Sequence, residues 1–300
     1  MKKLILAGAA LALMSGTALA DKFLLDMKGP GAGNPFWAAV EAGAMEKGKE
    51  LGVEVMVMSP PTESDVAAQI AQIEDMIAQG LDGIALAPTD PNALAPVVDA
   101  AKAAGIPVVF VDTKGSNEGV TFIGTDNEAG AKLAADYICG KLEKGSEVAI
   151  LQGIITQSTG QARANGSKAG LEACGLKVVA EQTGEWDRAK GQAAMENIIT
   201  GNPNIKAVFA SNDNMALGAV EALKSAGKLA DVMVVGFDAN PDAAVSVLAG
   251  DMTATVAQAP KNMGGFGIQA LVDLKAGKTI PPVIDTGTVL VDKSNAEQYK

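Results

Sequence analysis

Short apolar runs alternate with amphipathic stretches along almost the whole chain. A first series of runs falls at residues 23–27, 53–58, 83–87, 107–111 and 121–123. A second falls at 148–151, 178–180, 207–210, 233–236 and 253–257. Each is rich in β-branched residues and apolar at consecutive positions, the pattern of strands covered on both faces in a parallel sheet. Between them the period changes to three or four. Val66, Ile70, Ile73, Met76 and Ile77 make one stripe, which Ser64 or Asp65 would cap and Gly80 would end. Leu94, Val97, Val98 and Ala101 make another, and further helices are expected over 128–142 and 215–223. This alternation predicts a doubly wound α/β fold. Ten strands divide more naturally into two sheets than one, with a break near Thr125. The late segment 260–277 and a final strand over 286–291 would then return to each lobe in turn, so that the lobes are woven together.

The N-terminus departs from this pattern. Lys2 and Lys3 precede an uncharged run over 4–14 that is too short to span a bilayer, and Ala18-Leu19-Ala20 follows. This is the form of a secretory signal peptide cleaved after Ala20. The chain of 300 residues has 24 basic and 35 acidic side chains, so removing the leader takes the net charge from −11 to −13. So acidic a chain is poorly suited to nucleic acid. It has no histidine, which removes the commonest general base and a common metal ligand. No metal or cofactor is expected. Export would permit a bridge between the two cysteines, Cys139 and Cys174; two buried thiols are the alternative.

In open parallel sheets, ligands lie beyond the carboxyl ends of the strands. The residues that follow the apolar runs are polar: Asp112, Asp126, Asn212, Asp213, Asp238 and Gln258. Any one of them could simply cap the next helix, as Asp126 and Asp213 are well placed to do, but the set predicts a polar cleft. The turn Lys28-Gly29-Pro30-Gly31-Ala32-Gly33-Asn34-Pro35 is a poor dinucleotide site, because Asn34 replaces the third glycine and two prolines remove N–H donors. What it presents is Asn34 beside Phe36 and Trp37. Aromatic residues are only 4% of the chain, so this pair and Trp186 stand out. Aromatic planes suit the C–H faces of a sugar, while Asp, Asn, Gln and Arg, including Arg163, suit its hydroxyls.

The segments Asn34-Pro35-Phe36-Trp37, Ala87-Pro88-Thr89-Asp90, Val111-Asp112 and Leu151-Gln152-Gly153 carry a family resemblance. So do Trp186-Asp187-Arg188-Ala189-Lys190-Gly191, the run from Asn212 to Ala219, Val235-Gly236-Phe237-Asp238 and Val256-Ala257-Gln258. Together they resemble the ribose-binding group of periplasmic substrate-binding proteins, which serve ABC-type sugar importers. The resemblance implies two Rossmann-like lobes joined by three hinge strands, with a cleft that closes on its ligand. It places residues 21–125 plus 259–287 in one lobe and 126–258 plus 288–300 in the other. It implies that Phe36, Trp37 and Trp186 sandwich a sugar ring, and that Asn34, Asp112, Arg163, Asn212, Asp238 and Gln258 bond its hydroxyls. In ribose binders an Arg usually stands where this chain has Thr113, which removes a cation from the expected pocket. Other pentoses, deoxy sugars, hexoses and sugar alcohols therefore enter the expected range. The implied protein is a periplasmic monomer, not an enzyme, that hands a small neutral monosaccharide or polyol to a membrane permease. A sugar chemoreceptor partner is one alternative. A nicotinamide-dependent oxidoreductase is another, which the broken glycine pattern and the signal peptide oppose.

Overall fold

A computed structural model describes residues 20–300; the segment expected to be a signal peptide lies, but for Ala20, outside the described residues. The first sheet has six parallel strands in the order β11-β5-β4-β3-β1-β2. These are β1 (Lys22–Asp26), β2 (Glu54–Met58), β3 (Gly83–Leu86), β4 (Val108–Val111), β5 (Phe122–Gly124) and, from far along the chain, β11 (Val283–Asp285). The second has four parallel strands, ordered β7-β6-β8-β9: β6 (Glu147–Gln152), β7 (Lys177–Thr183), β8 (Ala207–Ala210) and β9 (Met233–Val235). Isolated parallel bridges join Val235 to Ala254 and Asp238 to Ala257, extending it to β10 (Thr255–Ala257). The antiparallel β12 (Val289–Val291) pairs with β10 and completes that lobe.

Helices cover both faces of each sheet. In the first lobe these are α1 (Pro35–Leu51), α2 (Val66–Gln79), α3 (Ala95–Ala103) and, later in the chain, α9 (Pro260–Lys275). In the second they are α4 (Asn127–Cys139), α5 (Ser158–Ala173), α6 (Arg188–Gly201), α7 (Asp213–Ser225) and α8 (Pro241–Ala249). Asp65, not Ser64, caps α2, accepting from the Ala68 N–H at 3.1 Å. Asp126 caps α4 in the same way, as its position after a strand allowed. The late helix α9 lies so close to α1 that a Cβ on Gly264 would fall 1.9 Å from the Val40 carbonyl. Only glycine permits that approach, which fastens a C-terminal segment onto the first lobe.

The chain crosses between lobes three times, at 124–127, 257–260 and 285–289. The sequence pattern marks a single final strand over 286–291; the structure has β12 within that range and a further short strand, β11, just before it in the other lobe. The missed strand, β11, is an edge strand whose Val283 and Asp285 are exposed, so it lacks a two-sided apolar signature. Cys139 and Cys174, at the ends of α4 and α5, form a disulfide. Among the described residues, no helix is long and apolar enough to cross a membrane. Nor do three His, Cys, Asp or Glu side chains gather there as a metal site.

Candidate functional site

Both sheets point the carboxyl ends of their parallel strands toward the gap between the lobes. Their orders reverse between β1 and β3 and between β6 and β8, the switch points where loops part and leave a crevice. The cavity at this junction is lined by Lys28, Asn34, Phe36, Trp37, Glu63, Asp112, Thr159, Arg163, Trp186, Asn212, Asp238 and Gln258. All nine residues singled out in the sequence as ligand contacts are among these twelve.

Asn34 is held as the N-cap of α1, its Oδ1 accepting from the Phe36 N–H at 3.2 Å. Phe36 and Trp37 bury their rings, edge to face with centroids 5.1 Å apart. Asp112 follows β4 with φ 61°, and Trp186 precedes α6 with φ 66°. Asp238, after β9, has φ 119°. Only five non-glycine residues among those described have positive φ, and three of the five line this cavity. Such backbone costs on the order of 1–3 kcal/mol per residue and persists only where surrounding structure enforces it. At Trp186 the enforcement is visible. Its indole lies against Gly153, where an added Cβ would come within 2.1 Å of the ring, and its Nε1–H donates to Gln157 Oε1 at 2.8 Å.

Arg163 is the centre of the second-lobe wall. Its Nε donates to Asn127 Oδ1 at 2.7 Å and its Nη1 to the Ser211 carbonyl at 2.8 Å. Nη1 lies 3.5 Å from Asp238 Oδ1, and the guanidinium carbon stands 3.9 Å from the centroid of the Phe237 ring. These contacts fix the planar group and leave Nη2 without a hydrogen bond among the described residues. Asp238 Oδ1 also accepts from Gln258 Nε2 at 2.6 Å, while the buried Gln258 Oε1 has no protein donor. An unpartnered buried acceptor costs about 1–3 kcal/mol unless something satisfies it, and a ligand hydroxyl would. Asn212 caps α7 through the Met215 N–H and donates to the Trp186 carbonyl at 3.1 Å, so it has a structural role beside its place on the cavity.

Burial pushes the Asp238 carboxyl up to about 7, against the opposing pull of Arg163 and the Gln258 bond. Asp112 and Glu63 add to the rise. Glu63 is also raised, chiefly by burial, despite the Lys28 ammonium and the Trp37 indole N–H that donates to it at 2.8 Å. Asp213, a neighbour in sequence to Asn212, points away from the cavity. It accepts from the Thr255 hydroxyl and the Asn240 N–H in the core of the lobe, and burial drives its carboxyl upward.

Three lining residues were not marked as ligand contacts by the sequence: Lys28, Glu63 and Thr159. Lys28 lies two residues beyond the first strand, but its neighbouring glycines and prolines drew attention to the turn's backbone. Its ammonium donates to the hydroxyl oxygen of Thr113 at 2.9 Å, Gln157 Oε1 at 2.9 Å and the Thr159 hydroxyl oxygen at 3.2 Å. It is also 3.3 Å from Asp112. The cation that the sequence appeared to lose at Thr113 is therefore supplied from another strand end. With two cations against Glu63, Asp112 and Asp238, the wall still holds no surplus of positive charge.

The periplasmic binding protein domain family matches residues 28–279. The ribose import binding protein of Bacillus subtilis (strain 168) is 38% identical over 252 residues, 84% of this chain and 81% of that protein. The D-allose-binding periplasmic protein of Escherichia coli (strain K12) is 40% identical over 260 residues, 83% of each. An ABC transporter solute-binding protein from Burkholderia multivorans superposes with a TM-score of 0.86 at 36% identity. The match covers 91% of this chain and all of that one, whose crystal structure holds an unknown ligand interpreted as alpha-D-erythrofuranose.

Proposed function

The chain belongs to the family of periplasmic binding proteins, and from that premise we propose that it captures a small neutral monosaccharide or polyol and delivers it to an ABC-type membrane importer. One observation carries the ligand class: a cavity between two lobes whose walls are indoles, a phenyl ring, carboxylates, amides and an immobilised guanidinium. Relatives named for ribose and allose, and a neighbour whose unknown ligand was interpreted as alpha-D-erythrofuranose, support the same class. Asn34, Asp112, Arg163, Asn212, Asp238 and Gln258 would bond hydroxyls, and Phe36, Trp37 and Trp186 would cover apolar faces. Gln258 Oε1 and Arg163 Nη2, an acceptor and a donor unused by the protein, mark where two ligand bonds form.

The mechanism is capture by closure. Residues 21–125 plus 259–287 form one moving body and 126–258 plus 288–300 the other, with the three crossings as hinge. Ligand held by one wall favours the closed form because the other wall adds bonds only there. The closed form is what a permease would recognise. Binding alone accounts for the site, so no bond of the ligand is made or broken and no cofactor is needed. The basic, apolar and small-residue leader directs the chain to the periplasm, where it works as a monomer.

Thermal-shift screening of the mature protein against pentoses, hexoses, tetritols and pentitols tests this reading. A ligand that binds only the folded state raises Tm with its concentration. A shift of several degrees with one chemical subset is expected. No shift with any member, after bound ligand has been stripped by unfolding and refolding, would remove the sugar assignment.

A further inference from the structure

The support behind Arg163 leads to the hinge. Its Nε donates to Asn127 Oδ1 at 2.7 Å, and the same amide, through Nδ2, donates to the Thr125 carbonyl at 3.1 Å. Thr125 lies in the first crossing between the lobes, and Asn127 opens α4 in the second lobe. Asn127 is buried but does not line the cavity. Its amide fits in one orientation only. Turned over, Nδ2 would face the Nε–H of Arg163 and Oδ1 the carbonyl of Thr125, donor against donor and acceptor against acceptor.

The ground on which these residues meet is rigid. A Cβ on Gly166, three residues beyond Arg163 in α5, would fall 2.6 Å from the Glu128 carbonyl, so α5 and the start of α4 touch backbone to backbone. The Phe237 ring lies 3.9 Å from the guanidinium carbon, and Gly130 makes room for it: a Cβ there would stand 2.8 Å from the ring. The other side of Arg163 also reaches the hinge. Nη1 is 3.5 Å from Asp238 Oδ1, which accepts from Gln258, in the second crossing, at 2.6 Å. In the third crossing the Thr286 N–H donates to the Gly124 carbonyl of the first at 2.9 Å. One series of polar contacts therefore joins all three crossings, with Arg163 and Asp238 in its middle.

We propose that Asn127 is a positioning residue that ties the guanidinium of Arg163 to the hinge, so that closure of the lobes and the presentation of Arg163 to a ligand are set together. This rests on the reading of the protein as a sugar or polyol binder. Closure is absorbed by backbone dihedral changes at the crossings, and the Thr125 carbonyl turns with them. Because the Asn127 amide is bonded on both sides, the hinge setting that satisfies Thr125 is also the one that holds Arg163 Nη2 toward the cavity. A ligand oxygen accepting from Nη2 then favours the closed hinge over the open one. Asn127 touches no ligand atom and acts through Arg163.

The test uses the mature protein, stripped of bound ligand, with D-ribose, D-allose and the compound giving the largest shift in the thermal screen as probes. The chain has two tryptophans, Trp37 and Trp186, and both line the cavity, so stopped-flow fluorescence reads association and release. Asn127→Leu removes both bonds at similar volume, and affinity is expected to fall at least thirtyfold. In an Arg163→Met background the same change should alter affinity less than threefold, because the group through which Asn127 acts is gone. Asn127→Asp keeps an acceptor for Arg163 Nε and loses the donor to Thr125. It should recover most of the affinity lost with Leu, and the remaining loss should be release at least threefold faster, with association within twofold of the parent. A residue that only supports the fold would lower Tm and leave the release rate of the folded protein unchanged. Two results overturn the proposal: a loss with Asn127→Leu that is as large without Arg163 as with it, or an Asn127→Asp protein that releases its probe at the parent's rate. If Asn127→Leu does not fold, the release rate of Asn127→Asp decides alone. A parent that binds no probe, with the thermal screen also silent, removes the binder reading and this proposal with it. A parent that binds, beside variants that match it, removes only the role of Asn127.

Discussion

The two walls of the cavity are built differently. On the second-lobe side, each polar group is fixed by its own lobe: Arg163 by Asn127 and Ser211, Asn212 by the first turn of α7, Asp238 by Gln258 at the hinge. On the first-lobe side, Lys28 reaches across to Gln157 and Thr159, and the Gln157 Nε2–H donates back to the Glu63 carbonyl at 3.0 Å. Ser158 adds a further pair of bonds to the Lys114 backbone. One wall is therefore shaped before closure and the other is completed by it. A preorganised wall loses little entropy on binding and sets affinity. A wall assembled on closing sets how closure is coupled to what lies inside.

If that contrast is right, damage to the fixed wall should have the largest effect on affinity. Arg163→Met removes the cation beside buried Asp238 and the donors to the Ser211 carbonyl and Asn127. Breaking a buried pair by removing one partner costs about 3–5 kcal/mol, part of which will appear as lost stability. The ligand affinity, read by calorimetry, should fall at least a hundredfold. A fall below tenfold would mean that Arg163 only supports the fold.

The next effect in size is pH dependence, which also comes from the fixed wall. The Asp238 carboxyl stands at about 7 in the folded protein, against 3.8 for a free side chain. A raised carboxyl disfavours the folded state when ionised, so this penalty is present above pH 7 and is relieved as pH falls toward 3.8. Ligand hydroxyls donating to the carboxylate favour its ionised form and lower that value in the complex. Affinity should then weaken as pH drops below 7, by up to tenfold per unit while the free carboxyl takes up its proton. Arg163, Asp112, Glu63 and Asp213 all face this group, so the profile belongs to the set. Calorimetry at pH 8, 7, 6 and 5 in buffers of different ionisation heat should show proton release on binding. An affinity that is flat between pH 8 and 5 would remove Asp238 as an acceptor of ligand hydroxyls.

Legibility in the sequence does not follow the division between the two walls. Asp112, Asn212, Asp238 and Gln258 each follow a clear apolar run, so a rule about strand ends finds them. Trp186 and Trp37 stand out because the chain has so few aromatics. Glu63 lies in the loop between β2 and α2 and Thr159 in the first turn of α5, and neither abuts an apolar run. The role of Lys28 arises from partners 85, 129 and 131 residues away, a distance no local pattern spans. The strained backbone at Asp112, Trp186 and Asp238 has no sequence sign either, because L-residues at positive φ are imposed by tertiary context. In the fold, ten strands were legible from their apolar runs, while exposed β11 was not.

The closure-dependent wall should give a smaller effect with a different signature. Gln157 is fully buried and holds three groups at once: the Lys28 ammonium, the Trp186 indole N–H and the Glu63 carbonyl. Gln157→Ala should lower affinity by about tenfold, the scale of one net buried hydrogen bond of about 1.5 kcal/mol. Small-angle scattering should then show a more open ligand-free population than the parent, with saturating ligand restoring the closed profile. Arg163→Met should leave the ligand-free profile near that of the parent. If both variants open the protein equally, the two walls do not divide the work as argued.

The smallest effect on binding should come from the bridge between Cys139 and Cys174, far from the cavity on the outer ends of α4 and α5. It closes a loop across 35 positions, for which chain entropy gives about 3–4 kcal/mol of stabilisation. Replacing both cysteines with serine should therefore lower the second lobe's Tm by several degrees. Affinity measured well below that temperature should change less than twofold, because α4 and α5 also pack through Gly166 and Gly170 against Glu128 and Ala135. A large loss of affinity at a temperature where the variant is fully folded would mean that the wall carrying Arg163 depends on the far ends of these helices, and so is less fixed than the comparison holds.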